Sequence, residues 1–451
     1  MSRLYEQAFT KVLFPVYESG LRRRRTLDYL AEAQANQWLP PERIAQLQWR
    51  KLEALVGHCA RAVPYYRQRW REFGIDPKQI QSPADYARLP VLRKADVRAN
   101  FDALHAEGAR DQIYYKTTGG STGEPMRFGY TRESYDRRIA AMWRGYAWAG
   151  ATMGRRTLYL WGASIGVPLR AQQIKERLYH AMFNRRMLNA FLMNESRMLE
   201  YAAKIESFKP EIIVSYVAPI LRMAEWMLAT GTRPHRPEAI VSAAEALHPA
   251  QRATIERAFG CPVFNTYGCR EVMLIAAECE RRDGLHLTAD HLCVELDQPT
   301  MSTGGEAIGE VVLTDLHNFG MPLLRYANGD LATAASGACA CGRGLGRFKR
   351  IDGRKLDTLR TPAGHLLPGE FIVYAFLPIQ KVKRYQVVQR ELGALDIYLV
   401  PDAGFGPAIE QQIRDAIIKA VGDSVALRFH LVEDIAASAS GKFRVTICEL
   451  A

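Results

Sequence analysis

The chain predicts an α/β protein: a large N-terminal domain with mainly parallel sheets covered by helices plus a β-rich part, then a small α+β C-terminal domain. Three observations predict it. From Thr157 to Thr266, short apolar runs alternate with stretches of helical periodicity, the pattern of a parallel sheet whose crossovers are helices. After about Asp290 the chain becomes strand-rich. From Gly353 it follows a β-β-α-β order over roughly 100 residues, a usual length for an independent domain.

Each element follows from a local pattern. Between Leu27 and Leu104 apolar residues recur at helical spacing, as in Leu47, Leu52, Leu55 and Val56, with Pro64 and Pro90 as breaks. This predicts a helical subdomain over residues 1–105. Tyr114-Tyr115 and Met126-Arg127-Phe128 read as the strands of a hairpin closed by a Gly/Ser/Thr run. Strands are expected at Thr157 to Trp161, Ile212 to Ser215, Ala239 to Ser242 and Val263 to Thr266, and helices at Tyr201 to Phe208, Ile220 to Ala229 and Pro249 to Ala258. Further strands are expected at Leu292 to Leu296, Gly309 to Thr314 and Pro322 to Tyr326. The C-terminal unit has strands near Tyr385 to Gln389 and Leu395 to Leu399, a helix at Pro407 to Val421 and a strand at Ala426 to Leu431. The boundary between 1–352 and 353–451 has no Pro/Gly/Ser linker, which implies a short hinge.

A chain of 451 residues exceeds the size at which one core keeps growing. With 48% hydrophobic and 24% charged residues and no repeats, it is ordinary globular composition. No apolar run approaches the roughly 18 residues that span a bilayer. Met1 to Gly20 mixes Arg3, Glu6, Lys11 and Glu18 among its apolar residues, unlike a signal peptide. Eight cysteines without framework spacing point to a reducing, cytoplasmic location. The net charge of +12 favours polyanionic partners. No clustered basic face or aromatic-basic motif is present, so no nucleic acid is expected. The dense run Arg22 to Arg25, behind the apolar-rich Leu4 to Tyr17, reads as the solvated basic end of a packed helix, with weak peripheral membrane contact as the lesser reading. A homodimer is compatible with the sequence.

Five polar motifs stand in order: Thr117 to Pro125 (Thr-Thr-Gly-Gly-Ser-Thr-Gly-Glu-Pro), Tyr267 to Glu271 (Tyr-Gly-Cys-Arg-Glu), Arg325 to Asp330 (Arg-Tyr-x-x-Gly-Asp), Asp352 to Arg354 (Asp-Gly-Arg) and Ser440 to Lys442 (Ser-Gly-Lys). In the first, Gly119, Gly120 and Gly123 let backbone N–H groups approach a polyphosphate, and Thr117, Thr118, Ser121 and Thr122 donate without bulk. No lysine follows in the Gly-x-x-x-x-Gly-Lys manner, and a hairpin is the wrong setting for that nucleotide loop. Tyr267 and Gly268 close a strand at a carboxyl end of the inferred parallel sheet, where open α/β folds place ligands.

As an ordered set, from Leu27 to Ile447, these motifs resemble the adenylate-forming superfamily of acyl-CoA synthetases, carrier-protein adenylation domains and luciferases. Within it they resemble the phenylacetate-CoA ligase family, especially its capsule-biosynthesis-type branch. The resemblance implies an AMP-forming ligase that joins a carboxylic acid to ATP and passes the acyl group to a thiol, CoA. A carrier-protein pantetheine, or an amine or hydroxyl of a polysaccharide precursor, is the alternative acceptor. It also implies that Thr117 to Gly123 hold phosphates, that Glu245 and Tyr267-Gly268 lie on the adenine side, and that Glu271 ligates Mg²⁺. Asp330 would hold the ribose, Arg354 the ribose or phosphate, and Lys442 would be the catalytic lysine of a mobile C-terminal domain. The chemistry suits these types: vicinal hydroxyls fit a bidentate acceptor, Mg²⁺ a hard oxygen, and a late-arriving ammonium the charge that builds on the α-phosphate. One departure stands at the hinge, where Leu356 occupies the first acidic position of the family's Arg-x-Asp-Asp pattern. Trp161 and Tyr216 are candidate walls of an acyl pocket.

Cys279, His286, Cys339 and Cys341 would supply three thiolates and an imidazole, a closed tetrahedral set for structural Zn²⁺. Some relatives resemble it in carrying Cys and His after the Tyr-Gly motif and a late Cys-x-Cys-Gly-Arg.

Overall fold

Pro41 and Pro64 each stand in the first turn of a helix, where a missing N–H costs nothing, and they open the helices Pro41–Ala62 and Pro64–Glu72. The computed structural model describes residues 2–118, 126–161, 176, 178–190, 193, 197–301, 306–354, 359–360, 362, 366–367, 372, 375–376, 379, 381–421, 425–435 and 445–450. In it these helices lay Leu52, Leu55, Val56, Tyr66 and Trp70 into one core with Val97, Phe128 and Tyr326. The helical subdomain therefore packs directly on the first hairpin, β1 (Ile113–Thr117) antiparallel to β2 (Arg127–Thr131).

The α/β alternation follows. β3 (Thr157–Trp161), β4 (Arg185–Asn189), β5 (Ile212–Tyr216), β6 (Ala239–Ala243) and the first half of β7 (Val263–Cys269) are parallel, in the order β4-β3-β5-β6-β7. Helices Met198–Phe208 and Val217–Thr230 bury Ile205, Ile220 and Met223 on one face against Leu158, Ile213 and Ile240. Helix Arg132–Trp148 covers the other face, with Tyr146 and Trp148 near Ile212, Val214 and Val241. Burial on both faces is why these strands read as unbroken apolar runs.

β7 changes partner halfway along. Val263, Phe264 and Asn265 pair parallel with β6, and Thr266 to Cys269 pair antiparallel with β8 (Met273–Glu278). The sheet continues through β9 (Leu285–Leu287), β10 (Leu292–Met301), β11 (Ala307–Asp315), β12 (Tyr326–Ala334) and β13 (Arg347–Arg354), in the order β7-β8-β9-β13-β12-β11-β10. The C-terminal part holds the short pair β14 (Leu359–Arg360) and β15 (Leu366–Leu367). It also holds a sheet of β16 (Val382–Glu391), β17 (Ala394–Pro401), β18 (Ala426–Leu431) and β19 (Thr446–Cys448), ordered β18-β17-β16-β19. Its helix Pro407–Val421 buries Ile413 and Ile417 against Ile397 and Leu399.

Two expectations shift. The strand placed at Pro322 to Tyr326 begins only at Tyr326: Pro322 has no N–H for a ladder, and Arg325 sits at φ 48 with its amide donating to Thr314 Oγ1 at 2.9 Å. The strand that Tyr267-Gly268 was expected to close runs on to Cys269. Among the described residues, no helix is long and apolar enough to cross a membrane.

Candidate functional site

Three of the polar motifs meet at Tyr326, at the start of β12. Its hydroxyl donates to Glu271 Oε1 at 2.7 Å and lies 3.9 Å from the sulfur of Met126, the residue that follows the Gly/Ser/Thr loop. Thr118 closes the base of that loop: its amide donates to Met126 O at 2.8 Å, and its Oγ1 accepts from Met126 N at 2.9 Å. Thr117 is the last residue of β1, opposite Arg127. Gly119, Gly120, Ser121, Thr122 and Gly123 lie outside the described residues, as does Lys442.

Beside this junction, Tyr267 of β7 reaches Asp330 of β12. The Tyr267 hydroxyl donates to Asp330 Oδ2 at 2.8 Å. Asn328 Nδ2 donates to both, at 2.7 Å to Tyr267 Oη and 2.9 Å to Asp330 Oδ2, while the Asp330 amide returns a bond to Asn328 Oδ1 at 3.0 Å. All three are buried. Burial first, and then the Asp330 charge, raise the Tyr267 hydroxyl well above its ordinary value, so it stays a donor. Burial, with Glu271 and Asp330 both nearby, likewise raises the Cys269 thiol. Asp330 stands opposite Arg354 in the β12–β13 ladder, which brings the Asp-Gly-Arg motif alongside through the backbone. At Gly268 a Cβ would fall 2.2 Å from the Met273 carbonyl oxygen, so only glycine lets β7 and β8 close behind Tyr267.

The carboxyl ends of the parallel strands carry the remaining candidates. Trp161 ends β3 and Tyr216 ends β5, with ring centroids 4.2 Å apart. Glu245 follows Ala244, which is at φ 66, and accepts from the Ala218 amide at 2.7 Å in the first turn of helix Val217–Thr230. Its carboxylate is thereby held at the helix's positive end. Tyr326 and Asn328, inside the Arg325 to Asp330 motif, are functional positions that the motif alone does not assign. Their task follows from the meeting of β7 and β12, which no local pattern encodes.

Cys279, His286, Cys339 and Cys341 come together as expected, with their ligand atoms all within 4.8 Å of one another. Cys279 Sγ is 3.8 Å from Cys339 Sγ, and Cys341 Sγ is 3.3 Å from His286 Nε2. His286 Nδ1 faces Leu345 O at 3.3 Å, and a carbonyl can only accept, so Nδ1 carries the proton and Nε2 offers its lone pair. These donors fit a tetrahedral Zn²⁺ and leave no vacant position. The loop around them is tied to the helical subdomain: Arg343 Nε donates to Gln37 Oε1 at 3.1 Å, and Gly344 N to Gln37 O at 3.1 Å.

The fold is that of the adenylate-forming CoA ligases: a 2-hydroxyisobutyryl-CoA ligase in its postadenylation state superposes with a TM-score of 0.71 at 19% identity, over 92% of this chain and 91% of that one. By sequence the chain is similar to phenylacetate-coenzyme A ligases and to CapK. It is 28% identical over 426 residues to the phenylacetate-coenzyme A ligase of Thermus thermophilus, covering 91% of this chain and 93% of the relative. It is 25% identical over 407 residues to Protein CapK of Staphylococcus aureus, covering 89% and 88%. Residues 359–449 match the CapK C-terminal domain family.

Proposed function

We propose that this protein is an AMP-forming ligase that activates a carboxylic acid with ATP and transfers the acyl group to CoA. The observation that carries this reading is the meeting of four separated motifs around Tyr267 and Tyr326, at the carboxyl side of the β6–β7 junction. Relatives named as phenylacetate-coenzyme A ligases, matched over most of their length, support the reaction class.

In the first half-reaction a carboxylate oxygen of the acid forms a bond to the α-phosphorus of ATP, and pyrophosphate leaves. In the second, the CoA sulfur bonds the acyl carbon, AMP leaves, and the thiol proton goes to solvent. Asp330, oriented by Tyr267 and Asn328, accepts hydrogen bonds from the ribose hydroxyls, and residues 117–123 cradle the phosphates. Glu271, held by Tyr326, is the carboxylate for Mg²⁺, which when bound neutralises phosphate charge. Lys442 is the cation that meets the α-phosphoryl group as charge builds there. Trp161 and Tyr216 wall the acyl pocket. The cysteine and histidine set holds a structural Zn²⁺ that fastens β9 and the β12–β13 connection to the helical subdomain. The large domain comprises 1–352, and the C-terminal domain, 353–451, moves between half-reactions.

The test is ATP–pyrophosphate exchange across a panel of aryl, fatty and hydroxy acids, followed by AMP release with and without CoA. Acid-dependent exchange and CoA-dependent AMP release are expected. No exchange with any acid, together with no calorimetric affinity for ATP, removes the reading.

A further inference from the structure

From residue 4 to residue 23 the chain turns its acidic and aromatic side chains inward and leaves leucines, valines and cations outside. Ser2–Ala8 is α-helical, and Phe9–Leu13 and Val16–Leu21 widen into π turns, with the Arg22 amide reaching back to Tyr17 O at 2.9 Å. The wider turn sets Tyr5, Phe9, Phe14 and Glu18 on one inward line. Phe9 and Phe14 pack on Phe183, with ring centroids at 5.1 and 5.8 Å, in a core with Tyr29 and Trp143. Glu18 is buried, accepting from Thr26 Oγ1 at 2.8 Å and from Arg24 at 3.4 Å. Glu6 accepts from Thr152 Oγ1 at 2.5 Å.

Among the described residues, the opposite face has no such partners. Leu4, Val12, Val16 and Leu21 are 73%, 57%, 57% and 74% exposed. Leu178 adds 67% exposure beside Tyr179, whose ring lies 6.1 Å from that of Tyr17 and tilted 52° to it. Lys11, Arg22 and Arg23 are exposed on the same segment. Arg25 is exposed too and pairs with Asp28 at 3.2 Å. Surface leucines and valines scattered singly need no explanation, whereas four on one helical segment interspersed with exposed cations do.

We propose that residues 4–23 form a docking surface for an anionic lipid bilayer. The helix lies in the plane of the membrane, with Leu4, Val12, Val16 and Leu21 at the headgroup–acyl boundary and Lys11, Arg22 and Arg23 against lipid phosphates. Charge argues against a second copy as the occupant: a two-fold contact would set the strip against itself, cation facing cation, with Glu6 and Glu18 already turned away. The docking surface is independent of the ligase chemistry and would hold whatever the acid.

Flotation of the full chain with vesicles of equimolar phosphatidylglycerol and phosphatidylcholine tests it. The wild type floats with these vesicles, stays down with pure phosphatidylcholine, and detaches as salt is raised. Val12→Glu/Val16→Glu and Arg22→Glu/Arg23→Glu each lower the bound fraction by about tenfold or more, with Tm and ATP–pyrophosphate exchange as in the wild type. Three outcomes overturn the proposal: wild-type protein that stays off the anionic vesicles at low salt, variants that float as the wild type does, and a wild-type dimer that Val12→Glu/Val16→Glu splits into monomers. Binding to polyglutamate without binding to vesicles also overturns it, and would assign the strip to an acidic protein.

Discussion

Tyr267 and Asp330 come from strands 63 positions apart in the chain and share a hydrogen bond of 2.8 Å, with Asn328 bonded to both. This triangle fixes one carboxylate oxygen, Asp330 Oδ2, by two donors. A hydrogen bond to a charged group contributes about 1.5–3 kcal/mol, so Tyr267→Phe should raise KM for ATP about tenfold or more. Steady-state kinetics is expected to show kcat within about twofold of wild type, since the lost bond positions a ligand and does not act on the reacting atoms. A fall in kcat at unchanged KM would contradict that assignment.

Lys442→Ala should separate the two half-reactions. Removing a charge that acts only as the α-phosphoryl group becomes crowded with negative charge costs about 10²–10³ in adenylation rate. Thioester formation from a supplied acyl-adenylate should be spared, and stopped-flow measurement of each half-reaction checks it. Equal loss in both would mean that the lysine has another task.

Metal analysis of protein purified without chelator should find about one zinc per chain. Stripping the metal, or Cys341→Ala, should lower Tm, because binding energy at a closed site is folding energy. Well-folded protein without zinc would remove the site.

Acid should destabilise the fold through two histidines beneath helix Arg132–Trp148. The rings of His291 and His317 stack 5.7 Å apart, 6° from parallel. Burial above all lowers both, His291 to about 4 and His317 to about 2, the latter also under the charges of Lys51 and Arg137. The unfolded chain binds these protons near pH 6.5 and the folded one does not, so stability is full above that pH. It falls by about 1.4 kcal/mol per pH unit for each ring as pH drops toward 4. Urea midpoints across that range measure the slope, and His291→Gln should flatten it.

The parallel half of the large sheet was legible because burial on two faces writes uninterrupted apolar strands such as Ile212-Ile213-Val214, and because the helices before β6 and β7 stop at Gly231 and Gly260 in the left-handed region. Helix Arg132–Trp148 was missed because its inward face is charged: Arg138 pairs with Asp315 at 2.8 Å and Arg144 with Asp290 at 2.9 Å, which erases the apolar period. β12 was placed too early because the run up to Arg325 is apolar like a strand, yet Pro322 lacks a ladder N–H and Arg325 turns to φ 48. In the fold it is buried, with its guanidinium between Glu295 and Asp297. The cysteine set was legible from spacing and family likeness. The joint work of Tyr326 and Asn328 was not, since it depends on β7 and β12 converging across the sheet.

Since β7 gives its opening residues to a parallel neighbour and its closing ones to an antiparallel neighbour, neither half of the eleven-stranded sheet owns a complete set of hydrogen bonds. Peeling away either half would strip the same peptide run. The parallel strands and the β-rich part therefore lose order together on heating, and a fluorescent probe in one reports the melting of the other.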